Sequence, residues 1–160
     1  MSTTRGFSLI ELIFTLGIAG ILLAIAMPGF GKYNNTMLLK RANAQILQDV
    51  RRARQLAVTR RSPVVMTFGT PPSISNITSY TILVDTNGDG IAQSSEMNTF
   101  RTLPTGTRLS AVTLTPVDQL QFDVSGLLQA GTLGGRLVIA NRANRRDTLM
   151  VSAAGVCYQP

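Results

Sequence analysis

From Leu12 to Gly31 the chain carries no charged residue, and only Thr15 offers a polar side chain, so this stretch has no hydrophilic side at any period. A helix that is apolar all round belongs in lipid or in a packed protein core. Leu12 to Phe30 would rise about 28 Å at 1.5 Å per residue, which matches a hydrocarbon layer of about 30 Å. The pattern then changes. Apolar residues recur at Leu39, Ala42, Ile46, Val50, Ala53 and Ala57, in steps of three or four, while Lys40, Arg41, Asn43, Arg51, Arg52 and Arg54 fall on the other side. That spacing predicts an amphipathic helix with one buried stripe, stopping near Arg61 because Ser62-Pro63 disfavours helical backbone. Residues from Phe7 to about Arg60 read as one long helix with a weak point at Pro28.

Beyond Pro63 the texture turns to short β-type runs between Gly, Pro, Asn and Asp. The runs are Val64–Phe68, Tyr80–Val84, Thr99–Leu103, Arg108–Leu114, Leu120–Phe122, Leu137–Ala140 and Thr148–Val151. Pro71-Pro72-Ser73 and Gly131 to Gly135 read as loops. With no second helical period, the expected fold class is α+β: a long N-terminal helix whose amphipathic half lies on an antiparallel β-sheet.

One residue disturbs the apolar head. Glu11 precedes the uncharged run directly, and a carboxylate in a bilayer helix is disfavoured by roughly 2.5 to 3.5 kcal/mol on insertion scales. Phe7 and Glu11 are four apart, so on a helix they share a face, and a cut after Gly6 would create a new amino terminus close to that carboxylate. Burying the two charges together costs less than burying either alone. Within one subunit the first turn strains to join them, which makes a neighbouring subunit's terminus the better partner. Two other readings use the same residues: a secretory signal cleaved after Ala24-Ile25-Ala26, and a plain membrane anchor with a chance glutamate. A charge inside the apolar core is wrong for the first of these.

Composition narrows the functional classes. The 160 residues contain no histidine and one cysteine, Cys157. Ser-His and Cys-His nucleophile arrangements and His-containing zinc sites are therefore unavailable, no intrachain disulfide can form, and an enzyme is not expected. The net charge is +7, and thirteen of the fifteen basic residues are Arg. Arg dominance suits contacts to phosphate or carboxylate, although charge alone does not identify a partner.

Two further clusters are candidate sites. Asp85 to Glu96 fits D-x-[DN]-x-[DN]-G-x5-E, in which oxygens of Asp85, Asn87, Asp89, the Ile91 carbonyl and Glu96 would surround one Ca2+, with Gly90 at the sharp turn. The loop lies between strands rather than helices, and Asp-Asn-Gly loops also serve tight hairpins, so both readings stand. Arg142, Arg145 and Arg146, with Arg136 one strand earlier, form a basic cluster able to hold the phosphates of DNA. No aromatic is interleaved among them, and a solvated turn is the alternative.

The leader Met1 to Gly6, then Phe7, then Glu11, resembles the class III signal of type IV prepilins and pseudopilins, and the whole layout resembles the GspH/FimT family. Leu56 to Arg61 is similar to that family's helix end. The resemblance implies a leader peptide over residues 1–6, a transmembrane and assembly helix over 7–31, and a globular pilin domain over 32–160. It implies cleavage after Gly6 by a prepilin peptidase and methylation of Phe7. It also implies pairing of Glu11 with an adjacent subunit during assembly. The implied function is a structural minor pilin or pseudopilin, partnered by other pilin or pseudopilin subunits. Such a subunit sits in the bacterial inner membrane as a single pass before it enters a pilus or a type II secretion pseudopilus. The alternative function is a DNA-binding minor pilin. Relatives often carry a cysteine pair and some end in a Gly-Arg-x-Arg tail, whereas this chain has Cys157 alone and reads Gly155-Val156-Cys157-Tyr158 at the comparable place.

Overall fold

In the computed structural model the described residues are 7–69, 76–90, 93–115 and 118–160, with the side chains of 26–30 and 32 outside the description. The first six residues, the Pro71-Pro72-Ser73 loop and Ile91 lie outside the described residues. The chain divides into two units, Met1–Thr36 and Met37–Pro160.

One helix, α1, runs over Leu9–Arg60. Its backbone stays helical through Pro28, where a weak point was expected. The helix ends at Arg60, and Arg61 takes a left-handed conformation (φ 50°), the conformation in which many helices terminate. In the first unit the large apolar side chains from Phe7 to Ile25 are exposed on every side of the helix. Among the described residues no helix is long and apolar enough to cross a membrane.

The second unit is built around the stripe that periodicity marked. Ala42, Ile46, Ala53 and Ala57 are completely buried, with Leu39 and Val50 nearly so. They join one core with the inward residues of two four-stranded antiparallel sheets. The first sheet has the order β3-β2-β1-β5, from β1 (Val64–Phe68), β2 (Ser79–Val84), β3 (Met97–Thr102) and β5 (Gln119–Phe122). The second has the order β4-β6-β7-β8, from β4 (Thr107–Thr115), β6 (Leu133–Asn141), β7 (Arg146–Val151) and β8 (Cys157–Tyr158). The fold class is α+β, as expected, although the strands form two sheets.

The other differences from the sequence reading are local. Leu133 to Gly135, expected in a loop, is the start of β6, and the glycines permit it. A Cβ on Gly134 would lie 1.9 Å from the Val151 carbonyl oxygen, and one on Gly135 would lie 1.8 Å from that of Thr113. Only glycine lets the backbones of β7 and β4 approach so closely at this register. The two-residue β8 lies outside the seven runs, being too short to show an alternating pattern. Asn43 leaves the polar side of α1 and is 4% exposed, because its Nδ2 donates to Asp147 at the start of β7.

Candidate functional site

The N-terminal site is made by the head of α1. Gly6 lies outside the described residues. Phe7 is 77% exposed and precedes the helix, which begins at Leu9; the Leu12 amide donates to the Ser8 carbonyl at 3.2 Å. Phe7 and Glu11 therefore do not share a helical turn as the spacing suggested. Glu11 is exposed in the first turn, where the positive end of the helix dipole favours a carboxylate.

The loop between β2 and β3 draws acidic oxygens together. Asp85, Asp89 and Glu96 each place a carboxylate oxygen within 4.8 Å of the others. The loop is closed by its own donors. Asp85 accepts the amides of Gly88 (2.6 Å) and Gly90 (2.7 Å), and Gly90 turns with φ 72°. Asn87 Nδ2 donates to Asp89 at 2.9 Å, and Asn87 Oδ1 accepts the Asp89 amide. Glu96 accepts from the Thr86 amide at 2.8 Å, the Thr86 hydroxyl at 3.0 Å and the Gln93 amide at 3.2 Å. The Thr86 amide bond above all holds the Glu96 carboxyl below the usual carboxylate range. A hollow of 180 Å³ lined by Asp85, Asp89, Gln121 and Gln129 opens beside the loop. The fifth expected ligand, the Ile91 carbonyl, lies outside the described residues.

The basic cluster divides. Arg142 and Arg145 occupy the β6–β7 turn, where Arg142 packs over the β3–β4 turn: a Cβ on Gly106 would lie 3.1 Å from Arg142 Nε. Arg136 and Arg146 instead stand on the sheet. In β6, Leu137 and Ile139 face the core, so Arg136, Val138 and Ala140 point outward. Cross-strand pairing sets Arg108 and Arg146 on either side of Ala140, and Thr113 and Met150 on either side of Arg136. Directly paired residues share a face. The outer face of the second sheet thus carries Arg108, Arg136 and Arg146. Arg108 was not singled out by the sequence because it lies almost thirty positions from the cluster; only strand register brings it there. Its Nε is buried with no hydrogen-bond partner among the described residues.

The sequence reading also missed a polar network under the first sheet. Asp49 on α1, 2% exposed, accepts Arg101 Nη2 at 2.9 Å and Nε at 3.1 Å and the Tyr80 hydroxyl. Burial first, then the bond to Asp49, pushes the Tyr80 phenol far above its ordinary value. Asp49 lies on the stripe side of the amphipathic half of the helix, where every other charged residue is basic, a signal that it needed an inside partner. Cys157 is buried in β8, and burial pushes its thiol up to about 11, against a smaller opposing effect of Arg51.

Comparison with known proteins places this architecture. The family model described as type II transport protein GspH matches residues 42–155, and the prokaryotic N-terminal methylation motif matches residues 1–27. The chain belongs to the GspH family. Among curated proteins none matches it. Among solved structures, this GspH-family chain is similar to the type IV minor pilin FimU of Pseudomonas aeruginosa, with 16% identity, a TM-score of 0.52, and coverage of 81% of this chain and 90% of that one. That likeness shows the shared pilin fold. GspH-family membership makes the chain a minor pilin-type structural subunit, one that assembles with other pilin subunits.

Proposed function

We propose that the chain is made as a precursor, cut after Gly6 by a prepilin peptidase and methylated on Phe7. It then moves from the inner membrane into a type IV pilus or type II secretion pseudopilus through the first half of α1. The observation that carries this reading is the contrast within the chain. Residues 37–160 close a core of their own, while twelve large apolar side chains from Phe7 to Ile25 are 46 to 78% exposed. Fully burying such a side chain is worth about 1.5 to 3 kcal/mol, so helix-on-helix packing has a large reserve to draw on. In a filament core Glu11 meets the new terminal amine of an adjacent subunit, and the pair replaces a lone buried charge. The test is Glu11→Ala in cells that assemble the filament. Loss of the variant from filaments, with normal membrane levels, supports the reading; incorporation equal to the parent removes its mechanism.

A second reading is favoured by the register of the second sheet. Arg108, Arg136 and Arg146 share an outward face, and no ion pair engages any of them among the described residues. This arrangement supports DNA binding by the globular unit, with Arg142 and Arg145 at the face's margin. For the Asp85–Glu96 loop we propose a Ca2+ site on the convergence of its three carboxylates.

A further inference from the structure

The basic face of the second sheet includes an aromatic residue that the sequence order hides. Met150 pairs with Tyr158, and Met150 also pairs with Arg136, so one row across the sheet reads Thr113, Arg136, Met150, Tyr158. The neighbouring residues of β8 fix which way the tyrosine points. Cys157 pairs with Val151 and is buried on the core side. Gln159, though exposed, bonds back to β7, its Nε2 donating to both Asp147 oxygens at 3.1 and 3.0 Å, and Asp147 is tied to α1 through Asn43. Between these two anchors Tyr158 is held on the outer face and is 48% exposed.

We propose that this face binds single-stranded nucleic acid in preference to duplex, with Tyr158 as a base-stacking platform and Arg136, Arg146 and Arg108 following the phosphates. The inference rests on the DNA reading above and sharpens it. The dimensions suit a short single strand. Tyr158 and Arg136 are two strands apart, about 10 Å, and the row holding Arg108 and Arg146 lies four residues further along, about 14 Å. A few nucleotides therefore cover both the ring and the cations, on the scale of the footprints seen for open sheet binders. In a duplex the faces of the bases are stacked inside the helix, where an exposed tyrosine ring cannot reach them, and only the phosphate contacts remain. No carboxylate pairs into these rows.

The test is fluorescence anisotropy of the full chain in detergent with labelled (dT)20, a duplex of the same length and poly-glutamate, each at two salt concentrations. The proposal predicts tighter binding of (dT)20 than of duplex. It predicts that Tyr158→Ala weakens (dT)20 binding about five- to 150-fold and leaves duplex binding unchanged. Arg136→Ala and Arg146→Ala should weaken both and flatten the salt dependence, by about 0.7 per lost contact for the single strand. Equal binding of the two DNA forms, with Tyr158→Ala silent but the arginine variants weakened, overturns the single-strand proposal while the DNA reading survives. Binding of neither form overturns both. Binding of poly-glutamate as tight as (dT)20 overturns both in favour of an acidic protein partner. Tyr158→Phe keeps the ring and should retain single-strand affinity, which separates stacking from a folding defect.

Discussion

Removing Arg101 strands a carboxylate inside the protein, whereas removing Asp49 strands an arginine that can turn to water. The Asp49 side chain is 3% exposed and that of Arg101 is 37% exposed. After Arg101→Ala, Asp49 keeps only the Tyr80 hydroxyl in a position water barely reaches, and breaking a buried pair from this side costs about 3 to 5 kcal/mol. After Asp49→Ala, Arg101 rehydrates and Tyr80 still receives Gln45 Nε2 at 3.2 Å, so with solvent screening the loss is about 1 to 2 kcal/mol. The double variant should resemble Asp49→Ala, because the buried charge is gone. Urea denaturation of residues 37–160, which hold every core side chain among the described residues, measures all four proteins on one scale. The reasoning is refuted if Asp49→Ala costs more than Arg101→Ala, or if Arg101→Ala stays within about 1 kcal/mol of the parent.

Two other outcomes follow from the β2–β3 loop. If it takes Ca2+, saturating the ion at about 100 times its dissociation constant stabilises the globular unit by about 2.7 kcal/mol, a thermal shift that EGTA reverses and that Asp89→Asn diminishes; no shift in millimolar Ca2+ dismisses the site. Glu96 has a depressed pKa in the folded protein, so its stabilising effect is fully present above the unfolded value of about 4.3 and is lost as pH falls through the lower folded value. Glu96→Gln should therefore flatten the acid limb of the stability curve below about pH 4.5 and leave its shape near pH 7 unchanged, as read by denaturation at stepped pH.

The parts of this molecule legible in its sequence are those governed by short periods. All six apolar residues of the stripe from Leu39 to Ala57 are buried, and β1 keeps the bounds its Val-Val-Met-Thr-Phe run suggested. What stayed hidden depends on pairing at long range. Nothing local to Arg108 or Tyr158 says that register will align them with Arg136 and Arg146, and nothing in Gly134-Gly135 alone separates a loop from a strand crowded on both edges. Asp49 and Asn43 were obscured because a polar residue on a helix reads as solvent-facing until its partner on the sheet, Arg101 or Asp147, is in place. The acidic loop was legible as a motif, and its Asp85, Asp89 and Glu96 carboxylates lie close together in a loop that amide donors also close.

The measurement that tests the central claim most directly is the mass of the amino-terminal peptide of the protein recovered from its own cells, from membranes and from sheared filaments. The account predicts a chain beginning at Phe7 and heavier by one methyl group, with that form alone in filaments. A chain still carrying residues before Phe7 in filaments, or one beginning after Ala26, would contradict it.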